Sequence, residues 1–474
     1  MSEIVASPGV TLPEPAPANG WLRELRATFA LAWPLVIAQL AQNALHTTDV
    51  ILLGWLGPDY LAAGTLATSF FMPILLFGVS IVGAVAPLVA QARGARDIKA
   101  IRRIVRQGFW VTIIMSTLLL PLVLQVRPIY ERLGQDPATT AMAEQFLQIV
   151  AWSLFPALGI IALRSLLSAF DATRVVLVIT VLGVVVNAAV AYTLIFGHFG
   201  MPRLELRGAA IATLTTNIIM FLAMLTYVVR HRRFGRFHIL IRFWRADWGH
   251  FRAIFRIGLP IALTVVAEVG MFTAAALLIG RLGTDELAAH AVALQCASMA
   301  FMVPLGLGIA ATVRVGIAYG RRDAEGIKLA GWTSFMLGTG FMVLSCVLFL
   351  TMGPVLVTIF LDPNNPENAN ALALAASFLA VAGLFQLADG AQVAAAHALR
   401  GLSDTKIPML FAILGYWGIG LPVGYLLSDF AGWRGVGVWT GLAVGLSFVA
   451  VVLVTRFAMR ERLGLLDALK PTSA

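Results

Sequence analysis

Twelve apolar runs, each longer than about 18 residues and bounded by charges or by Gly/Pro clusters, leave this chain few ways to fold. They lie near 28–53, 62–88, 106–126, 145–167, 175–197, 208–229, 253–280, 287–312, 330–353, 372–398, 408–428 and 437–458. Only 12% of the 474 residues are charged, against about a quarter in soluble domains. Most of the surface must therefore face lipid, and the expected class is an all-α polytopic membrane protein. Cys296 and Cys346 both fall inside spans and imply no disulfide framework. Residues 1–22 are Pro-rich and polar, without the basic-then-apolar order of a cleaved signal, and read as a disordered tail.

The net charge of +10 is explained by where the cations sit. With the N-terminus inside, 28 of the 34 Lys and Arg fall on the cytoplasmic side, so both termini are expected there. The basic stretch from Arg230 to Arg256 also carries Phe234, Phe237, Phe243 and Trp244. Basic and aromatic residues together can bind nucleic acid, but beside membrane spans they are read as resting on anionic lipid headgroups, with no nucleic-acid partner.

Shifting the chain by 226 residues aligns Leu31–Asp97 with Ile257–Asp323 without a gap, and 18 of 67 positions are identical. Pro34 meets Pro260, Gly57 meets Gly283, and Gly94, Arg96 and Asp97 meet Gly320, Arg322 and Asp323. The expected organisation is an N-terminal six-helix lobe (23–230), a basic linker (231–252), a C-terminal six-helix lobe (253–460) and a tail (461–474). An even number of spans per half makes the copies parallel, related by a pseudo-two-fold axis along the membrane normal, as in carriers that rock two bundles.

An ionisable group at mid-depth is costly in lipid and needs a partner or a wet cavity. Glu268 lies midway along span seven, Asp389 about 6 Å from the middle of span ten, and Asp49 about 10 Å from the centre of span one. These three are the candidate coupling-cation sites, because a carboxylate in such surroundings takes up a positive ion readily. The competing reading is a carboxyl that merely bonds a neighbouring helix. Gln42 is the repeat's neutral counterpart of Glu268, so the halves are chemically unequal. Asn187, Gln42, Gln295, Tyr416 and His46 are candidate cavity residues, and Phe272, Phe385 and Trp417 are candidate stacking surfaces, each with helix packing as the alternative role. His46 and His290 lack a second His or Cys at ligand spacing, so no metal centre is expected beyond a Na⁺ ion at Glu268 and Asp389. Arg164, Arg174 and Arg400, near span ends, are expected to snorkel outward. Eight prolines inside the spans, from Pro34 to Pro422, are expected to kink their helices. No Walker loop, Gly-x-Ser-x-Gly elbow or His-Glu-x-x-His motif occurs, so no cofactor and no enzymatic activity are expected. Uphill movement must then draw on an ion gradient.

Several runs resemble the multidrug and toxic compound extrusion family: Leu31-Ala-Trp-Pro34 through Gln42 to Asp49, Pro87 to Gln91 with Gly94, Ala267-Glu268-Val269, Ala288 to Leu294, and Ala388-Asp389 through Gln392 to Val393. Leu399-Arg400-Gly401 to Asp404, and Tyr416-Trp417 through Pro422 to Tyr425, are similar to its NorM-type branch. The resemblance spans about residues 25–460. It implies a twelve-helix carrier of two lobes in a bacterial inner membrane, exporting organic cations and amphiphilic drugs in exchange for Na⁺ or H⁺. It further implies that Glu268 and Asp389 bind the coupling cation, that Asp49 contributes to transport, and that Asn187 lines the N-terminal lobe. His46 departs from the family pattern, where a small residue is expected. Cationic small molecules and lipids are the expected partners of a monomer. A flippase for a lipid-linked precursor on a related fold is the alternative, disfavoured by the scarcity of mid-membrane Arg and Lys.

Overall fold

A computed structural model describes residues 20–239, 241 and 243–469; the expected tail at 1–19 and the end at 470–474 lie outside the described residues. Among the described residues, twelve helices are long and apolar enough to cross a membrane. They are α1 (Gly20–Leu56), α2 (Pro58–Gly94), α3 (Ile98–Leu124), α4 (Pro137–Ala169), α5 (Thr173–Phe196) and α6 (Glu205–Arg230), then α7 (Trp248–Gly280), α8 (Thr284–Gly320), α9 (Ala324–Val357), α10 (Ala369–Gly401), α11 (Lys406–Phe430) and α12 (Arg434–Ala458). The first helix begins at Gly20, inside the stretch 1–22 read as tail, because Trp21 and Leu22 already continue its apolar pattern.

The 226-residue repeat is carried by turn chemistry. Gly57 precedes α2 at φ 147° and Gly283 precedes α8 at φ 144°, a region open to glycine because it has no Cβ. At the far ends Arg96 and Arg322 both adopt φ 58°, and the next residues cap the following helices. Asp97 accepts from the Ala100 N–H at 2.9 Å, and Asp323 from the Gly326 N–H at 2.7 Å. The same two turns thus start and stop matching helices in each half.

Six of the eight span prolines, Pro34, Pro73, Pro121, Pro260, Pro304 and Pro354, sit in continuous helix. Pro156 follows a 3₁₀ turn (Ala151–Ser153). In α11, π-helical turns at Leu414–Gly420 and Leu426–Phe430 flank Pro422, so the ring's clash with the preceding turn is absorbed by widening. Glycines bring α11 against α12: a Cβ at Gly441 would lie 2.2 Å from the Gly424 Cα, the close approach that small residues permit between membrane helices.

The lobes meet near the end that carries most Arg and Lys, here called the basic end. Leu31, Ala32 and Leu35 of α1 and Ala90 of α2 form one apolar cluster with Leu307, Ala310, Val313 and Ile317 of α8. Ile257 and Ile261 of α7 pack with Ile81, Val82 and Val85 of α2. Gln91 Nε2 donates to the Gly401 carbonyl at 2.8 Å and to Ser403 Oγ at 2.9 Å, and Glu24 pairs with Arg314. Farther along α1, Leu40, Gln42, Ala44 and Thr47 are exposed, as are Leu287, Ala291, Gln295 and Met299 on α8.

The linker corrects one expectation. Phe234 and Phe237 are 1% exposed and pack with Phe170 in the N-terminal lobe. Phe243 stacks on Trp110, whose Nε1 donates to the Phe243 carbonyl at 3.0 Å. Phe234, Phe237 and Phe243 fasten the linker to its lobe instead of facing headgroups, whereas Trp244, 84% exposed, keeps an outward position; burying the two fully covered rings gains more than laying them at an interface.

Candidate functional site

In the N-terminal lobe, Asp49 on α1 and Asn187 on α5 come together. Asn187 Nδ2 donates to Asp49 Oδ1 at 2.7 Å, and Thr213 Oγ1 on α6 donates to Asp49 Oδ2 at 3.2 Å. Thr216 Oγ1 in turn donates to Asn187 Oδ1 at 3.3 Å. Three helices thus converge on one carboxylate, and Asn187 is fully buried. Charge-assisted bonds of this kind are stronger than neutral ones, so they fix the carboxylate's position. Thr213 and Thr216 escaped the sequence reading. Thr213 Oγ1 also bonds the Ala209 carbonyl four residues back, the ordinary role of a threonine in a membrane helix, and nothing in the sequence marks its second bond. His46 lies one turn before Asp49, half-buried, and Gln42 one turn further, exposed.

The C-terminal lobe holds the second acidic site. Asp389 on α10 is 6% exposed, and its Oδ1 is buried without a hydrogen-bond partner. Glu268 on α7 is half-buried and is an electrostatic neighbour of Asp389, Arg400 and Tyr416. One turn below Asp389, Gln392 Nε2 donates to Tyr416 Oη at 3.1 Å while its Oε1 stays unpaired. Buried polar atoms are nearly always bonded, so two unpaired acceptors one turn apart leave this place able to accept a donor or a cation. On α11, Trp417 Nε1 donates to the Ala267 carbonyl at 3.0 Å, which ties that helix to α7 directly beside Glu268.

The remaining predicted residues divide by exposure. Tyr416 is fully buried and braces Gln392. Phe385 is 2% exposed, edge-on to both Phe272 and Trp439, so it is packed core and presents no face for stacking, contrary to its expected role. Trp417 is half exposed and lines an open groove of about 580 Å³ between α7 and α11 with Leu278, Leu421 and Tyr425. Gln295 is exposed on α8. His290 is buried against Trp439 with both ring nitrogens unpaired. Arg174 points outward over the Trp33 ring, as expected of a snorkelling side chain. Arg164 and Arg400 correct that expectation: both are partly buried, Arg164 with an unpaired Nη2, Arg400 bonded to His397. Among the described residues no three His, Cys, Asp or Glu converge on a metal-sized site.

Two six-helix halves, joined at one end, with Asp49 held by neighbouring helices in one and the buried Asp389 in the other, define an all-α membrane protein. A model of the MatE family matches residues 34–193 and 260–426, one segment in each lobe. The chain is 46% identical over 451 residues to the "Probable multidrug resistance protein NorM" of Brucella suis, covering 95% of this chain and 96% of that one. It superposes on the eukaryotic MATE transporter AtDTX14 with a TM-score of 0.85 at 20% identity, covering 95% of this chain and all of the other. Against an outward-facing multidrug resistance MATE family transporter the TM-score is 0.82 at 19% identity, over 96% of this chain and 99% of that one. The chain belongs to the MatE family of membrane transporters.

Proposed function

We propose that the protein is a secondary antiporter that exports organic cations and amphiphilic drugs across a bacterial inner membrane in exchange for Na⁺ or H⁺. The observation that carries this reading is Asp389: a buried carboxylate with an orphaned oxygen, charge-coupled to Glu268 on a second helix. A cation arriving there relieves both groups, and a cationic substrate held in the same lobe competes with it. Occupancy by one then lowers affinity for the other, which is the linkage an exchanger requires. The relatives' names support the drug-export direction. With the basic end cytoplasmic by the positive-inside rule, the lobes are closed inward and the conformation is outward-facing. The carrier acts as a monomer among membrane lipids, without a cofactor. Asp49, held by Asn187 and Thr213, anchors the N-terminal lobe and lines the path of the substrate.

The experiment is competition on the purified protein. Ethidium binding is weakened by Na⁺ or by acid in the wild type, and in Glu268→Gln this dependence disappears. Unchanged competition in that variant contradicts the proposal.

A further inference from the structure

We propose that the surface where the linker lies along the start of α3 binds the headgroup of an anionic phospholipid of the cytoplasmic leaflet, with Arg102 and Arg245 on its phosphate and Trp244 at the edge of its acyl chains. The inference goes beyond the antiport reading and stands or falls separately from it.

Three contacts lay the linker against α3 in opposite chain directions. Trp110 Nε1 donates to the Phe243 carbonyl, Gln107 Nε2 donates to the Arg245 carbonyl at 3.4 Å, and Arg103 Nη1 lies 3.7 Å from Asp247 Oδ2. Gln107 is buried under the linker, so the Arg245 backbone is fixed while its side chain stays exposed. The linker then enters α7 through Asp247, which accepts from the His250 N–H at 3.2 Å.

These contacts concentrate charge of one sign. Residues 97–106 and 243–252 hold six Lys and Arg against two Asp. Both acids are engaged: Asp97 caps α3 through the Ala100 N–H, and Asp247 caps α7 and faces Arg103. Arg102 and Arg245 have no carboxylate at ion-pair distance among the described residues. A guanidinium keeps its charge at any accessible pH, so the arginines repel one another unless an anion lies among them. Phosphate suits them, because its oxygens accept from the guanidinium fork in pairs. The repeat shows that the fold does not require this cluster. At the 226-residue offset Arg103 and Arg106 meet Leu329 and Trp332.

The aromatics say which phosphate. With Phe243 stacked on Trp110, Trp244 is turned outward and 84% exposed, and Trp248, the first residue of α7, is 64% exposed. In water two bare indoles are unfavourable, whereas at headgroup depth the ring meets apolar chains and its N–H meets the polar layer. A nucleic acid would also satisfy the arginines. But the two stretches open spans α3 and α7, which holds them at the membrane surface, where lipid phosphate is the anion at hand.

The test uses the full chain in phosphatidylcholine vesicles, titrated with phosphatidylglycerol brominated in its acyl chains, and with brominated phosphatidylcholine as reference. Tryptophan quenching gives the relative affinity of the two lipids. The wild type prefers phosphatidylglycerol, and Arg102→Gln with Arg245→Gln weakens that preference by about fivefold for each arginine removed. Trp244→Phe removes most of the excess quenching. Arg245→Gln alone, which keeps the backbone bond to Gln107, gives a second reading should the double variant not fold. Arg462→Gln, which removes one exposed charge from the basic end of the other lobe, leaves the preference unchanged. Equal affinity for both lipids in the wild type, an undiminished preference in the arginine variants, or an equal loss in Arg462→Gln overturns the inference. So does excess quenching that survives Trp244→Phe. Displacement of the brominated lipid by inorganic phosphate or by an oligonucleotide, at constant ionic strength, would assign the site to a soluble anion and overturns it too.

Discussion

Gly94 and Gly320 occupy equivalent places in the two halves and meet backbone to backbone: a Cβ at Gly94 would lie 2.9 Å from the Gly320 Cα, and one at Gly320 would lie 2.0 Å from the Gln91 carbonyl oxygen. The pseudo-two-fold axis passes between them. Closure of the basic end is thus limited by two hydrogen-sized side chains.

Gly94→Ala or Gly320→Ala overpacks this contact, at about 1–3 kcal/mol each. A rocking equilibrium shifts by that amount, roughly 5- to 150-fold toward the state open at the basic end. Spin-label distances between the α1 and α8 ends at that side report it. Distances equal to wild type would show that the glycines do not govern closure.

Asn187→Ala removes the shortest bond to Asp49 and also leaves Thr216 without its acceptor. The expected loss of stability is about 1–3 kcal/mol, read as thermal unfolding in detergent. Thr213→Val removes a longer bond and costs less. The reverse order would mean that Thr213, not Asn187, holds the carboxylate.

Glu286 is buried near the other end, where it accepts from the Gly435 N–H at 3.0 Å and pairs with the exposed Arg434. Arg434→Met strips the pair of its positive member and leaves the carboxylate with one backbone donor. Because the arginine is largely solvent-facing, the cost is set at about 1–2 kcal/mol, well short of the 3–5 of a wholly buried pair. Thermal unfolding of the variant, and its recovery in Arg434→Met with Glu286→Gln, checks this.

Asp136 caps α4 from outside the membrane. The Thr139 backbone N–H at 2.8 Å and hydroxyl at 2.9 Å hold its carboxyl below the usual range. A carboxyl depressed by folding stabilises above its unfolded value, about 3.9, and that contribution fades as pH falls through the lower folded value. Asp136→Asn, which still caps but cannot titrate, should therefore flatten the acid limb of the stability profile below about pH 4. An unchanged limb would assign acid sensitivity elsewhere.

Much of the architecture was legible because membrane helices announce themselves by length and apolarity, and the repeat kept its glycines and capping aspartates at fixed offset. Asp49, Glu268 and Asp389 were legible for the same reason: an acid in an apolar run has no bland surface role. Pairings between helices were not. That Asp49 meets Asn187, 138 residues away, depends on how α1 crosses α5, which no local pattern encodes. The inward turn of Arg400 was hidden by its position near a span end, where snorkelling is the ordinary outcome, and its anchor His397 looked like any other residue of an alanine-rich helix. Phe234 and Phe237 misled for a related reason: beside so many arginines they resembled an interfacial belt, whereas a buried lobe surface was within reach of the chain.

The central claim is tested most directly by ethidium counterflow in proteoliposomes under an imposed Na⁺ or pH gradient, comparing wild type with Glu268→Gln and Asp389→Asn. The account predicts gradient-driven movement in the wild type and its loss in both variants, with each variant still inserted and monodisperse. Gradient-driven movement at the wild-type rate in either variant would contradict it.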